Sequence, residues 1–311
     1  LAVPRVWRLP SRGATIEVVA KTVERLPEAA DGVLATVAGL VAYLSSPKER
    51  RAIVRENQRI PYEWSHGRRL GEGLRVERQV VRSHVAYARY FLELFRTRAR
   101  SKSDIAGRVT LEGAAEFLSR VTSGKPVVLV LPHLGDWELG GAWMASVGPG
   151  ISTIVEDLSD ESMTEWFLKT RTALGMRVEL LSARSVAWLL KELRQGRTVA
   201  LLVDRDLTGN GVDTELFGHH VALARGPAYL AERSGAPVIP VAAYQEPHGR
   251  VRISFWPAIV ASGEDERGAR VEALTHEIAR VFEEMISYAP EQWHVFQPYF
   301  GNQDRGICED P

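Results

Sequence analysis

The chain has 311 residues, is 45% hydrophobic and 25% charged, and balances 39 Lys and Arg against 39 Asp and Glu. High apolar content with no net charge excludes disorder as the main state, and the length suits one large α/β domain or two small ones. A single cysteine, Cys308, excludes an intrachain disulfide framework and a cysteine-based zinc site, so a reducing compartment is expected.

In chain order, residues 15–45 carry helical spacing. Their most apolar run, Val33 to Leu44, is about half of the ~20 residues that cross a bilayer. The N-terminus lacks the basic, apolar and small-residue zones of a signal peptide. It begins at Leu1 rather than Met, which leaves an anchor ahead of it open. The expectation is a soluble or peripherally bound protein. Between Lys48 and Lys102, fifteen basic residues face six acidic ones, an excess of nine that the remainder of the neutral chain offsets. A basic helical region suits an anionic partner, such as a membrane surface or a phosphorylated group, rather than nucleic acid. The alternative is a solvated face whose arginine stems cover apolar surface.

Gly67, Gly71 and Gly73 interrupt this region. Helical spacing resumes over 76–98, with Val81, Val85, Ala88, Leu92 and Phe95 on one face. From Val109 the texture changes. Short β-branched runs at 127–131, 151–155, 178–181, 199–203, 238–242 and 251–255 alternate with helical stretches at 138–146, 161–174, 185–195, 226–234 and 267–288. Such alternation predicts an α/β fold, a mostly parallel central sheet flanked by helices. A basic helical region, 1–105, docks on this α/β core, 106–311, and one compact unit is expected rather than two independent domains.

In an open α/β sheet, reactive groups gather at the carboxyl ends of strands. The first such end is Pro132-His133-Leu134-Gly135-Asp136-Trp137-Glu138. Pro132 biases Leu131 toward extended geometry and so ends the strand. His133 then sits in the turn. A spacing of five rotates side chains by roughly 140° on an ideal helix, so Glu138 can meet His133 only by reaching back from the first turn of the following helix. An imidazole beside a carboxylate has the parts of a general base, with Glu138 as the expected partner and Asp136 as its rival. Amides at the helix start could stabilise an oxyanion. No G-x-S-x-G nucleophile elbow occurs, which favours direct transfer to an acceptor hydroxyl. His133, Asp136 and Glu138 are also metal-ligand types, but no H-E-x-x-H pair accompanies them and no metal is expected.

Two other strand ends carry charges: Glu156-Asp157 and Asp204-Arg205-Asp206. Asp204 could support the histidine or the acceptor hydroxyl. Arg205 could hold a phosphate or pair with a carboxylate. Arg171, late in the helix after Glu156, could pair with Glu156 across a groove mouth. Helix faces at Leu139–Ala145 and Trp188–Leu190 could line an apolar tunnel or be plain core.

The H-x4-D/E spacing of His133 and Glu138 resembles the signature of glycerolipid-type acyltransferases. Its context is similar to the bacterial branch that contains the lipid A late acyltransferases and, nearest in likeness, the phosphatidylinositol mannoside acyltransferases. LPHLGDWELGGAW (131–143), TIVEDLSDESMTEWFLKTRTALGMRV (153–178), LVDRDLTGNGVDTELFG (202–218), RGPAYLAERSGAPVIPV (225–241) and the Trp293-to-Gln297 run carry the likeness over roughly 75–300. Where the mannoside pattern has Asp and Glu, this chain has Glu138 and Asp204, each differing by one methylene of reach. The resemblance implies transfer of an acyl chain from acyl-CoA or acyl carrier protein, as co-substrate, to a glycolipid hydroxyl, with no resident cofactor. It implies His133 as base, Glu138 as its catalytic partner, and Glu156, Arg171, Asp204, Arg205 and Asp206 around the substrate. It also implies a peripheral enzyme on the cytoplasmic face of the cell membrane, releasable by salt if the contact is electrostatic. A lipid-binding module without turnover and a hydrolase activating water are the rival readings.

Overall fold

The computed structural model describes residues 11–67, 73–260 and 266–300; Gly71, Cys308 and the charges at Arg68, Arg69 and Glu72 lie outside them. The N-terminal part is helical. Residues 15–45 form two helices, α1 (Arg12–Arg25) and α2 (Asp31–Ser45). The break comes at Leu26, held extended by the proline that follows it. Then come α3 (Lys48–His66) and the long α4 (Leu74–Ala99). Helix α2 lies along α4 because Gly39 has no side chain: a Cβ there would stand 2.5 Å from the Val85 Cα. Arg96 binds Asp31 at 2.7 Å, Arg98 binds Glu17 at 2.8 Å and Arg100 binds Glu28 at 3.2 Å, fastening α1, α2 and the turn between them to α4, while Arg100 also pairs with Glu93 of α4 at 2.9 Å. Arg55 pairs with Glu77 and Arg82 with Glu291. Arg96, Arg98 and Arg100 are therefore spent inside the protein, while Lys48, Arg50, Arg59, Arg75, Arg78, Arg82 and Lys102 stay exposed.

The segment Glu28–Ser45 is long and apolar enough to cross a membrane by length and composition, with a mean hydropathy of 1.2. The uninterrupted run at Val33–Leu44 understated it, because the window also admits the small and polar residues at its ends.

The core follows as α5 (Lys102–Arg108), β1 (Val109–Glu112), α6 (Ala115–Thr122), β2 (Val127–Leu131), α7 (Trp137–Ala145), β3 (Ile151–Val155), α8 (Glu161–Ala173), β4 (Arg177–Leu180), α9 (Ser185–Arg194) and β5 (Thr198–Leu202). A hairpin, β6 (Val212–Leu216) and β7 (His219–Leu223), precedes α10 (Gly226–Ser234), β8 (Val238–Glu246), β9 (Arg250–Phe255) and α11 (Arg267–Tyr288). Seven strands form one sheet in the order β1-β9-β8-β2-β5-β3-β4. All neighbours are parallel except β8 and β9. Strand β1 and the separate β6–β7 hairpin were not anticipated; β1 is mostly exposed and the hairpin carries exposed His219 and His220, so neither reads as a buried apolar run.

Strand β2 explains why the sheet is covered on both faces. Val127, Leu129 and Leu131 pack with α6 and α7, while Val128 and Val130 pack with α9, α10 and α11. Side chains alternate along a strand, so an unbroken VVLVL run requires a partner layer on each side. The chain leaves β2 toward β3 and β4, returns as β5 between β3 and β2, then crosses to β8 on the far side of β2. The order reverses at β2 and β5, and a crevice opens beyond their carboxyl ends.

Candidate active site

The register of β2 and β5 builds the site. Leu131 pairs with Leu202, and two residues further along the strands stand His133 and Asp204. His133 Nδ1 lies 2.6 Å from Asp204 Oδ1, and the His133 backbone N–H donates to Oδ2 at 3.0 Å. The indole N–H of Trp293 donates to the same Oδ2 at 2.8 Å. The Tyr299 hydroxyl donates to the Asp204 carbonyl at 2.6 Å. Burial by itself would raise the Asp204 pKa. The electrostatic pull and ring N–H of His133, its backbone N–H and the Trp293 N–H outweigh that and hold the carboxyl below its usual range.

A carboxylate accepting from Nδ1 fixes the tautomer with the proton on that nitrogen, leaving the Nε2 lone pair free. The imidazole side chain is 21% exposed while Asp204 is fully buried, so only the histidine end of the pair meets incoming molecules. Trp137 packs edge-on to the ring, 5.4 Å between centroids.

Glu138 is therefore not the acid that touches His133. It begins α7 as expected, but its buried carboxylate turns to Arg171, whose Nη2 and Nε donate at 2.6 and 2.9 Å. Trp137 Nε1 at 3.1 Å and the Tyr90 hydroxyl at 3.3 Å complete its shell. Burial opposes the Arg171 charge, but Glu138 beside it raises the guanidinium pKa above its ordinary value. The expected Arg171–Glu156 pair does not form; Glu156 lies 3.8 Å from Arg205 instead. With its amide oxygen facing the guanidinium, Gln297 accepts from Arg205 at 2.7–2.9 Å.

Asp136 is not the rival partner either. Its Oδ1 caps α7 by accepting from the Leu139 N–H at 3.0 Å, and its own N–H donates to the Ala243 carbonyl at 2.7 Å. Burial pushes its pKa up to about 8, with Glu93 and Glu138 adding to the rise. Asp206 commits both carboxylate oxygens to its own loop, to Thr208 and the Gly211 N–H. His133, Asp136 and Glu138 thus face three different partners, and among the described residues no group of three His, Cys, Asp or Glu side chains is placed to hold a metal ion.

Gly135 makes the turn possible. Its φ is +73°, and a Cβ there would stand 2.0 Å from the Ala243 carbonyl oxygen. Beside the turn, a narrow slot of about 40 Å³ runs between α7 and the sheet, reaching Trp137 but not His133 itself. Glu138 and Arg171 stand among its walls, with Trp137, Gly141, Met144 and Met176 supplying apolar lining. The Leu139–Ala145 helix contributes to this slot as one reading expected. Trp188 and Leu190 belong to the core on the other face of the sheet.

The sequence reading named Asp204 as a support for either the histidine or the acceptor hydroxyl, behind Glu138 and Asp136, and the structure settles on the histidine; Trp293, Tyr90 and Gln297 as supports escaped it. The register of β2 with β5 is the signal that finds Asp204, since matching strand ends bring 133 and 204 together.

The sequence profile of the bacterial lipid A biosynthesis acyltransferase family matches residues 19–301. A phosphatidylinositol mannoside acyltransferase of Mycolicibacterium smegmatis is 30% identical over 284 residues, covering 89% of this chain and 88% of the relative. Two proteins of the same name from Mycobacterium tuberculosis, strains CDC 1551 / Oshkosh and ATCC 25618 / H37Rv, are 31% and 32% identical over 218 residues, covering 68% of this chain and 67% of each relative.

The buried Asp136 carboxyl generates a pH prediction. Its folded pKa of about 8 lies above the ordinary 3.8, so between those values the native state holds a proton that the unfolded chain has released. Its contribution to stability is intact below the lower value and falls as pH rises toward the upper one. Asn keeps the capping oxygen without the charge. Thermal unfolding of Asp136→Asn from pH 4 to 8 is expected to show the variant gaining on the wild type as pH rises; a constant difference contradicts the assignment.

Proposed function

Because the chain belongs to the bacterial lipid A biosynthesis acyltransferase family and is an acyltransferase, we propose that it moves a fatty acyl chain from an acyl thioester to a hydroxyl of a membrane glycolipid. The acceptor class that its relatives' names favour is the phosphatidylinositol mannosides. The observation that carries this reading is the His133–Asp204 pair, open at Nε2, beside an apolar slot.

In this reading the slot widens to admit the acyl chain, and the thioester carbonyl is presented past Trp137 to His133. As the acceptor oxygen attacks that carbon, its proton passes to Nε2, and the anionic Asp204 stabilises the imidazolium. Amides in the first turn of α7 stabilise the tetrahedral oxyanion. The carbon–sulfur bond then breaks, and the thiolate of coenzyme A or acyl carrier protein takes the proton back from Nε2 as it leaves. Glu138, clamped by Arg171, aligns the slot mouth. Glu156 and Arg205 face the acceptor, and no resident cofactor or metal enters.

The same reading places the enzyme peripherally on the cytoplasmic face of the membrane, and the apolar surface supports it. Val33, Val37, Leu40, Val41 and Leu44 form one exposed stripe on α2, from 39% to 69% exposed, at the spacing of a single helix face. Val18, Val19 and Leu26 extend the exposed apolar surface to α1. Ala35 and Gly39 lie buried on the same helix, which suits α2 to an in-plane position rather than a crossing one. Exposed Lys48 and Arg50 follow at its carboxyl end, where anionic headgroups would meet them.

Two outcomes follow. His133→Ala is expected to lower transfer by roughly 10²–10⁴ in protein that stays folded at the assay temperature but melts lower, because buried Asp204 loses its ring partner, and wild-type thiol release from acyl-CoA should require the glycolipid acceptor; rapid fatty-acid release without acceptor would indicate a hydrolase. In vesicle co-sedimentation with anionic phospholipid, the apolar stripe should keep part of the wild-type protein bound at high salt. Val37→Glu/Val41→Glu should move that salt-resistant fraction to the supernatant, and an unchanged fraction would remove the stripe from membrane contact.

A further inference from the structure

The described chain ends in a strap, residues 290–300, that the acyl-transfer chemistry does not use directly. It nevertheless contacts both loops that carry the reactive pair. The Gln292 carbonyl accepts from the Gly135 N–H at 2.9 Å, and the His294 N–H donates to the His133 carbonyl at 2.7 Å. His294 Nε2 lies 3.2 Å from the Gly135 carbonyl. Trp293 reaches the Asp204 carboxylate, Gln297 the Arg205 guanidinium and Tyr299 the Asp204 carbonyl. The strap is itself held by two buried amides on α3: Asn57 Nδ2 donates to the Val295 and Gln297 carbonyls at 2.9 and 2.8 Å, and Gln58 Nε2 to the Trp293 carbonyl at 3.1 Å.

Among the described residues, Trp293 supplies the donor to the Asp204 carboxylate that does not come from His133. It is fully buried. The other two donors, ring Nδ1 and backbone N–H, both belong to His133 and move with its loop. The terminal torsion of an aspartate is broad and two-fold, so the carboxylate could pivot with that loop. A donor from a third chain segment, fixed on Oδ2, stops the pivot.

We propose that Trp293 is a positioning residue for the reaction: its indole N–H locks the far oxygen of Asp204, reserves the near oxygen for His133 Nδ1, and thereby holds Nε2 toward the exposed side of the crevice. The inference rests on the proposed roles of His133 and Asp204. Trp293 touches neither donor nor acceptor, so its loss acts on the chemical step and not on binding.

The test compares wild type, Trp293→Phe, and a protein in which Trp293 is replaced by benzothienylalanine, which keeps the bicyclic shape and exchanges the N–H for sulfur. The readouts are kcat, KM for acyl-CoA, the melting temperature and the low-field proton resonance of the His133 Nδ1–H. The isostere is expected to fold with a modestly lowered melting temperature, to keep KM within about twofold, and to lose kcat by roughly 10- to 100-fold, the scale of one hydrogen bond to a charged group. Its low-field resonance should shift or broaden. Trp293→Phe should show the same kcat loss, and if it fails to fold, the isostere decides. Full kcat in the folded isostere, or a loss confined to KM, overturns the proposal. His133→Ala measured alongside separates the two levels: an active His133→Ala removes the underlying assignment, whereas an inactive one beside a fully active isostere removes Trp293 alone.

Discussion

A carboxylate with no exposure to water sits beneath the crevice of this protein, and the surrounding architecture can be understood from the need to satisfy it. Burying an unpaired carboxylate costs several kcal/mol. Asp204 avoids that cost by accepting three N–H groups, two from His133 and one from Trp293. These residues come from the end of β2, the end of β5 and the strap after α11. The strand register supplies the first two and the amides of α3 anchor the third. The N-terminal helices thus share in holding the reactive pair as well as covering the core.

The second buried acid is treated differently. Glu138 lies against a guanidinium, a phenol and an indole, so its charge is satisfied without His133. The separation matters for chemistry. Two carboxylates on one imidazole would compete for its proton and leave the ring without a fixed tautomer. Giving one acid to Arg171 and the other to His133 makes Nε2 the free nitrogen. Nearby His294 shows the effect of burial without a carboxylate: its pKa falls to about 3, so it stays neutral and adds no competing positive charge.

The fold was legible where one physical rule decided. Runs such as VVLVL could only be strands covered on both faces, and the helices between them had clear apolar spacing. His133 was legible because Pro132 ends the strand and aims the turn at the carboxyl edge of the sheet. Asp204 was legible only as one option ranked behind Glu138, because Glu138 is near in sequence while Asp204 is near in space. That proximity depends on β5 returning beside β2, and strand order is set by packing across the whole sheet. Trp293 was hidden for the same reason. Charge counting alone does not separate surface from interior: Arg96, Arg98 and Arg100 bind Asp31, Glu17, Glu28 and Glu93 within the fold, whereas Lys48, Arg50, Arg59, Arg75 and Arg78 stay exposed, and the exposed apolar stripe on α2 became visible only with the helices in place.

The most direct test of the central contact is the turnover of Asp204→Asn beside Glu138→Gln under identical conditions. An asparagine amide would donate to His133 Nδ1, force the proton onto Nε2 and leave no base. A folded Asp204→Asn is therefore expected to lose kcat by on the order of 10³–10⁴. Near-wild-type turnover by Asp204→Asn, with the large loss appearing in Glu138→Gln alone, would contradict the account.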